Sequence, residues 1–240
     1  MYQTNKLYVT PLLSMTELVT ENPSILIMLE HFEADCVLHD DTVSGFCKRH
    51  NISLQVFILV ANLYNGITPS SIPELSHADI MALIRFLANS HVYYKTQKYP
   101  EIELYISQLS EYNKAPEIPL VTKFFDEYFT EVIEHLEYEN SVAFPFFISL
   151  LNKQQVSSKV GEFSSQEYKE HHTDIESSLS ELKRLLLKHV PIQKDRVLRR
   201  KILMSLFELE YDLHKHSLIE EVILTPLMQD IEKNQYNVKK

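Results

Sequence analysis

The sequence predicts an all-α protein, an up-down four-helix bundle preceded by a small helical N-terminal domain. Three observations predict it. Glycine occurs only three times in 240 residues, at Gly45, Gly66 and Gly161, while the helix formers Leu, Glu, Lys and Ile are plentiful. The ten prolines punctuate long stretches. Four of those stretches carry apolar residues at the 3.6-residue helical period and follow one another with short connections, the pattern of a bundle.

The N-terminal part reads as short helices over about 14–20, 24–32, 41–49 and 53–64. The run NGITPSSIPELS at 65–76 concentrates turn residues and marks the boundary between a domain at 1–72 and a bundle at 73–240. The first long helix is expected over 76–110, with Pro100 kinking it or ending its first half. The second follows KAPEIP and covers 120–152. The third covers 164–189, with Ser164 or Ser165 as N-cap and Glu167 near the capping-box position. The fourth begins near Pro191 and reaches about 233. Their stripes read Ile80, Ile84, Leu87, His91, then Phe125, Tyr128, Val132, His135, Glu139, Val142. The third reads Tyr168, His172, Ile175, Leu179, Leu182, Leu186, and the fourth Leu206, Leu209, Leu213, His216, Glu220, Ile223, Leu227. A histidine interrupts every stripe.

Composition narrows the function. With so few glycines, no segment supplies a GxGxxG or P-loop phosphate cradle. A formal net charge of −10 opposes a broad nucleic-acid or anionic-membrane surface, since both need excess positive charge. Cys36 and Cys47 are too few for a disulfide scaffold or an all-thiolate zinc site. The start, MYQTNKLYVT, lacks the basic-then-apolar pattern of a signal peptide, and the longest apolar runs, such as VFILVA at 56–61, are too short to span a bilayer. The expectation is a cytoplasmic protein.

The chemistry lies in the interrupted stripes. His135, Glu139 and Pro145 form H-x3-E-x5-P, and so do His216, Glu220 and Pro226, 81 positions later. The same shift carries His91 onto His172, so the first two long helices form a unit that the last two repeat. Residues i and i+4 share one helix face a turn apart. A His and a Glu so placed reach the same small interior volume. Burying carboxylates and imidazoles among Leu and Ile is costly unless cations compensate them. Two divalent or trivalent ions would do so, and nitrogen–oxygen ligand sets on bundle helices suit di-iron or di-manganese centres. The zincin motif H-E-x-x-H is absent. Of the other histidines, His31, His39 and His50 read as solvated, and His77 lies near a helix start. His171 and His214 lie off their stripes, His171 as a surface residue or a neighbour of the ligands. His189 closes the third helix, where the macrodipole favours a cation.

At these residues the chain resembles the hemerythrin-like His/Glu cation-binding family, and within it the di-iron proteins for repair of iron centres. The likeness covers about 76–232. It implies that His91, His135, Glu139, His172, His216 and Glu220 hold two iron ions in a non-haem centre bridged by oxo and carboxylate groups. His91 would pair with His135 on one iron and His172 with His216 on the other. Both irons would keep an open position, to which Tyr94 or Tyr112 could add a phenolate. The family's further histidine after the first-helix proline is missing from LSEYNKAP, which offers Tyr112 and Asn113. A second third-helix histidine is replaced by Glu176 or Tyr168. FEADCVLHDDTVSGFC resembles the family's Cys-Cys-Gly-Gly segment, with Cys36 and Cys47 kept and Val37, Leu38 and His39 replacing the rest.

The resemblance implies a role in iron–sulfur cluster repair or the oxidative and nitrosative stress response. Damaged iron–sulfur proteins or an iron acceptor would be its partners, with small gases or peroxide as ligands. The alternatives are an oxygen- or nitric-oxide-sensing module signalling through the N-terminal domain, and a redox enzyme acting on peroxide. The segment at 42–63 admits a helix-turn-helix reading, which the acidic charge opposes.

Overall fold

The structure, a computed structural model, describes residues 7–113, 115–152, 175–188, 190 and 196–238. These residues are helical throughout, apart from turns and an isolated bridge between Ser14 and Thr42. The N-terminal part contains α1 (Met15–Glu21), α2 (Ile25–His31), α3 (Val43–Arg49) and α4 (Leu54–Tyr64). Hydroxyl side chains start three of these: Ser14, Thr42 and Ser53 accept from the backbone N–H three residues on, satisfying a donor that the first turn leaves open.

Four rods follow. The first is α5 (His77–Tyr93), a π turn (Tyr94–Lys98) and α6 (Tyr99–Tyr112). It opens on a full capping box between Ser76 and Asp79. The second is α7 (Ile118–Tyr138), a π turn (Glu139–Ala143) and α8 (Phe144–Leu151). The described part of the third is α9 (Ile175–Lys188). The fourth is α10 (Arg196–Ile219), a π turn (Glu220–Leu224) and α11 (Thr225–Val238). Helix α6 packs on α7 and α10, α9 packs on α7 and α10, and α8 touches α5 and α11. The second and fourth rods thus touch each other and both of the remaining rods, while the first and the described part of the third each pack on the second and the fourth. A hydrogen bond from the start of the first rod to the end of the second, His77 Nε2 to Asn152 Oδ1 at 3.1 Å, shows that these two run antiparallel.

Each π turn is followed by a proline at the second position of the next helix: Pro100, Pro145 and Pro226. Proline has no N–H, and its ring would strike the carbonyl four residues back in an α-helix. The chain meets this by widening rather than stopping. The residue before each proline donates its N–H five residues back, Tyr99 to Tyr94, Phe144 to Glu139 and Thr225 to Glu220. Pro100 thus stands at the start of α6, and the rod continues through the π turn from α5 rather than stopping there. The extra residue also moves the inward stripe by one: Ala143 is buried where Val142 was expected, and Met228 where Leu227 was.

Two apolar clusters fill the interior. One joins α1–α4 to α5, α8 and the end of the fourth rod, through Met15, Phe46, Phe57, Leu87, Phe147, Ile223 and others. The other runs through α6, α7, α9 and α10, with Ile106, Phe125, Val132, Leu182 and Leu209. They part between Leu87 and Tyr93 on the first rod, Leu136 and Ala143 on the second, and Leu213 and Ile219 on the fourth. The polar residues of the next section occupy that gap.

Candidate metal centre

His91 stands at the end of α5, His135 in the last turn of α7, and His216 in the last turn of α10. Glu139 and Glu220 are the first residues of two π turns. A π turn opens the backbone where it begins and directs that residue inward, and both carboxylates are fully buried. His91 and His216 are buried with them, and His135 is the least covered, its side chain 14% exposed.

Glu139 lies at the middle. Its Oε1 is 3.1 Å from His135 Nε2 and its Oε2 is 3.2 Å from His91 Nε2, so one carboxylate presents an oxygen to each of two imidazoles. His216 Nε2 is 3.9 Å from Glu139 Oε2 and 3.2 Å from Glu220 Oε1. His91 and His216, from opposite halves of the repeat, face each other with their Nε2 atoms 3.3 Å apart. Ligand atoms of His91, Glu139 and His216 all lie within 4.8 Å of one another, a buried group that can hold a metal ion.

The outer atoms of both rings support that reading. Ser90 Oγ lies 2.7 Å from Leu87 O, to which it donates its proton, leaving its oxygen to accept from His216 Nδ1 at 2.8 Å. Asn140 Oδ1 accepts from His91 Nδ1 at 3.0 Å. With Nδ1 of each ring engaged outward, the two Nε2 atoms face each other and need positive charge between them, a proton or a metal ion. Phe144 stacks on the His91 ring at 5.5 Å between centroids and helps fix its plane. A nitrogen–oxygen donor set with oriented imidazoles in a dry layer fits a first-row transition metal.

The field inside the layer is uneven. Burial lowers the His216 imidazole's proton affinity, but Glu220 and Glu139 outweigh it and push its pKa up to about 10. Burial holds His91 below the ordinary histidine value, and the charge of His216 adds to that effect although Glu139 opposes it. Two negative carboxylates thus attract positive charge to the mouths of these rings, a proton or a metal ion.

A second polar node adjoins the layer. Asp212, fully buried and one turn before His216 on α10, accepts from Tyr64 Oη at 2.6 Å and Tyr94 Oη at 2.8 Å, and pairs with His31 Nε2 at 2.8 Å. Burial raises its pKa, yet His31 and the two phenols outweigh this and leave the carboxyl below its ordinary range. The expectation of a solvated His31 is therefore corrected. It is 1% exposed, because α2 turns it into the bundle against Phe86 and Tyr93. Tyr94 gives its hydroxyl to Asp212, and burial with that charge holds the phenol well above its usual pKa. Tyr112 is 56% exposed.

His172 and Tyr168 lie outside the described residues, as do His171 and His189. Cys36 is exposed and Cys47 buried, both as free thiols, and burial pushes the Cys47 thiol up to about 12. No described helix is long and apolar enough to cross a membrane. No family model matches the chain, and no curated protein matches it.

Proposed function

We propose that the chain is a non-haem iron protein whose four rods form an up-down bundle of the hemerythrin type around a pair of iron ions. The observation that carries this is the facing pair of imidazole nitrogens, His91 and His216, set 3.3 Å apart over the Glu139 carboxylate. His91, His216 and Glu139 would hold one ion. The second oxygen of Glu139 and His135 would begin the site of the other, with Glu220 on the His216 side and His172 completing the set. Bound iron with an open position supplies a place for dioxygen, nitric oxide or peroxide to react.

The chain's own residues do the remaining work. Ser90 and Asn140 fix which ring nitrogen faces inward, Glu139 and Glu220 supply compensating charge, and the two apolar clusters exclude water on either side. His135 marks the side from which a ligand or iron acceptor reaches the centre. We place the protein in iron–sulfur cluster repair or the stress response to oxidants and nitric oxide, its partners being damaged iron–sulfur proteins. A second reading, a gas-sensing module, draws on one observation: Asp212 links His31 and Tyr64 of the N-terminal helices to the turn preceding His216.

Metal analysis with an optical spectrum of freshly prepared protein tests the reading. About two irons per chain is the expected result. A fully loaded preparation with one zinc and no second site would refute it. Restoration of a damaged iron–sulfur enzyme by the iron-loaded protein separates repair from sensing.

A further inference from the structure

The chain holds 13 tyrosines and no tryptophan, and several of the tyrosines lead away from the candidate centre in short steps. The Tyr94 ring meets the His216 ring edge-on at 6.1 Å between centroids. Tyr93 follows at 5.8 Å from Tyr94, again edge-on. Tyr93 in turn lines a cleft of about 570 Å³ between α2 and the first and fourth rods, which Cys36, Lys98 and Lys201 also line. Two rings therefore connect the buried layer to a space open to solvent.

Each of these phenols points at a carboxylate. Tyr94 donates to Asp212 Oδ2 at 2.8 Å, and Tyr93 to Glu208 Oε1 at 3.3 Å. A phenol cannot give up an electron from a low-dielectric interior and keep its proton, because the cation would be stranded there. A hydrogen-bonded carboxylate removes that obstacle by taking the proton as the electron leaves. A purely structural tyrosine needs only some acceptor for its hydroxyl; here successive rings touch and both acceptors are acidic. On this basis, and resting on the iron reading above, we propose that Tyr94 and Tyr93 form a one-electron relay between the metal centre and the cleft.

The steps balance as follows. Hydrogen peroxide takes two electrons and two solvent protons to give two waters. One of these electrons would come from the metal centre when a single ferrous ion remains in it. Tyr94 supplies the other and becomes a neutral tyrosyl radical, its proton passing to Asp212. Tyr93 then reduces Tyr94, which regains the proton from Asp212, while the Tyr93 proton passes to Glu208. A soluble thiol entering the cleft gives a hydrogen atom to Tyr93 and leaves as a thiyl radical, two of which couple to a disulfide, and Glu208 releases its proton to solvent. The relay would remove oxidising equivalents from a centre buried among oxidisable side chains.

The test uses the full chain, iron-loaded and half-reduced to one ferrous ion per centre, with metal content measured on the same sample. It is mixed with hydrogen peroxide and freeze-quenched for electron paramagnetic resonance. The expected result is a tyrosyl radical whose spectrum narrows with ring-deuterated tyrosine. Tyr94→Phe, which keeps the ring, loses the signal. Tyr93→Phe keeps it and lengthens its life in the presence of thiol, and Tyr112→Phe behaves as the unaltered chain. An iron-loaded protein that gives no tyrosyl radical, or the same radical in Tyr94→Phe, overturns the relay alone. A chain that takes up no iron overturns the relay and the iron reading together, and the metal analysis distinguishes the two failures.

Discussion

Single side chains decide whether the polar layer attracts a cation or merely fills space. Ser90 touches no cation in this arrangement, yet its hydroxyl oxygen holds the outer nitrogen of His216. Loss of such an orienting partner typically costs about 10- to 100-fold in metal affinity. Ser90→Ala should show that loss in a chelator-competition titration, with helical content unchanged. An unaltered affinity would mean that His216 does not need to be oriented. Asp212 acts on stability instead. Its partners hold its folded pKa below the unfolded value of about 3.9, so its contribution is present above that pH and disappears as pH falls through the folded value. Asp212→Asn removes the charge that pairs with His31, a loss of about 3 kcal/mol at neutral pH by analogy with other broken buried pairs. Urea denaturation should show the gap between the two proteins closing below about pH 4. A gap constant over that range would show that the Asp212 charge contributes nothing. Neither role was visible in the sequence. Ser90 lies beside the stripe residue His91, and Asp212 stands in a stretch already holding Glu208 and Glu210. The available signal was spacing: Asp212, His216 and Glu220 recur at i+4 on one face of the fourth rod.

At the scale of elements, the π turns align the layer. Each inserts one residue, so everything before it is rotated by about 100° relative to a regular helix continuing after it. Deleting Ser141, an exposed residue of the second π turn, restores the α register. His135 and Glu139 can then face inward only if Phe144 and Phe147 leave their cluster. The deletion variant should lose metal uptake in an iron titration and melt at lower temperature. Full uptake with an unchanged melting temperature would show that the π turn is incidental. The short N-terminal helices, the first, second and fourth long segments, the described part of the third and the H-x3-E-x5-P pairs were legible because hydrophobic period and i, i+4 spacing are local properties. The widening was not. Pro100 read as a kink or a stop, since sequence alone does not reveal that tertiary packing carries a rod through it. The third instance was hidden further, because Ser90 and Tyr94 occupy the places that His and Glu hold before Pro145 and Pro226. His31 escaped notice for a related reason: its burial depends on α2 meeting the first and fourth rods, a contact between segments far apart in the chain.

For the whole molecule, the two ends of the bundle differ in what they pack against. The apolar cluster on one side of the polar layer includes α1–α4 together with parts of the first, second and fourth rods, and Asp212 binds His31 and Tyr64 from the other side of that contact. The N-terminal helices therefore cannot detach without exposing Phe46, Phe57, Leu87 and Phe147 and leaving a buried carboxylate with two partners fewer. Unfolding is expected to be one cooperative transition, with far-ultraviolet circular dichroism and tyrosine fluorescence following the same curve. A bound metal ion would join this equilibrium, because the candidate ligands His91, Glu139 and His216 come from three different rods and converge only in the folded chain. Free iron at a hundred times its dissociation constant should add about 2.7 kcal/mol. For a chain of this size that is roughly 5–10 °C in melting temperature. The shift should appear in both signals together, since the N-terminal helices and the layer share one folding unit, and Glu139→Ala should abolish it. If iron raised the melting of the rods while α1–α4 unfolded at an unchanged temperature, the N-terminal helices would be a separate unit, and the Asp212 contact too weak to couple them to the centre.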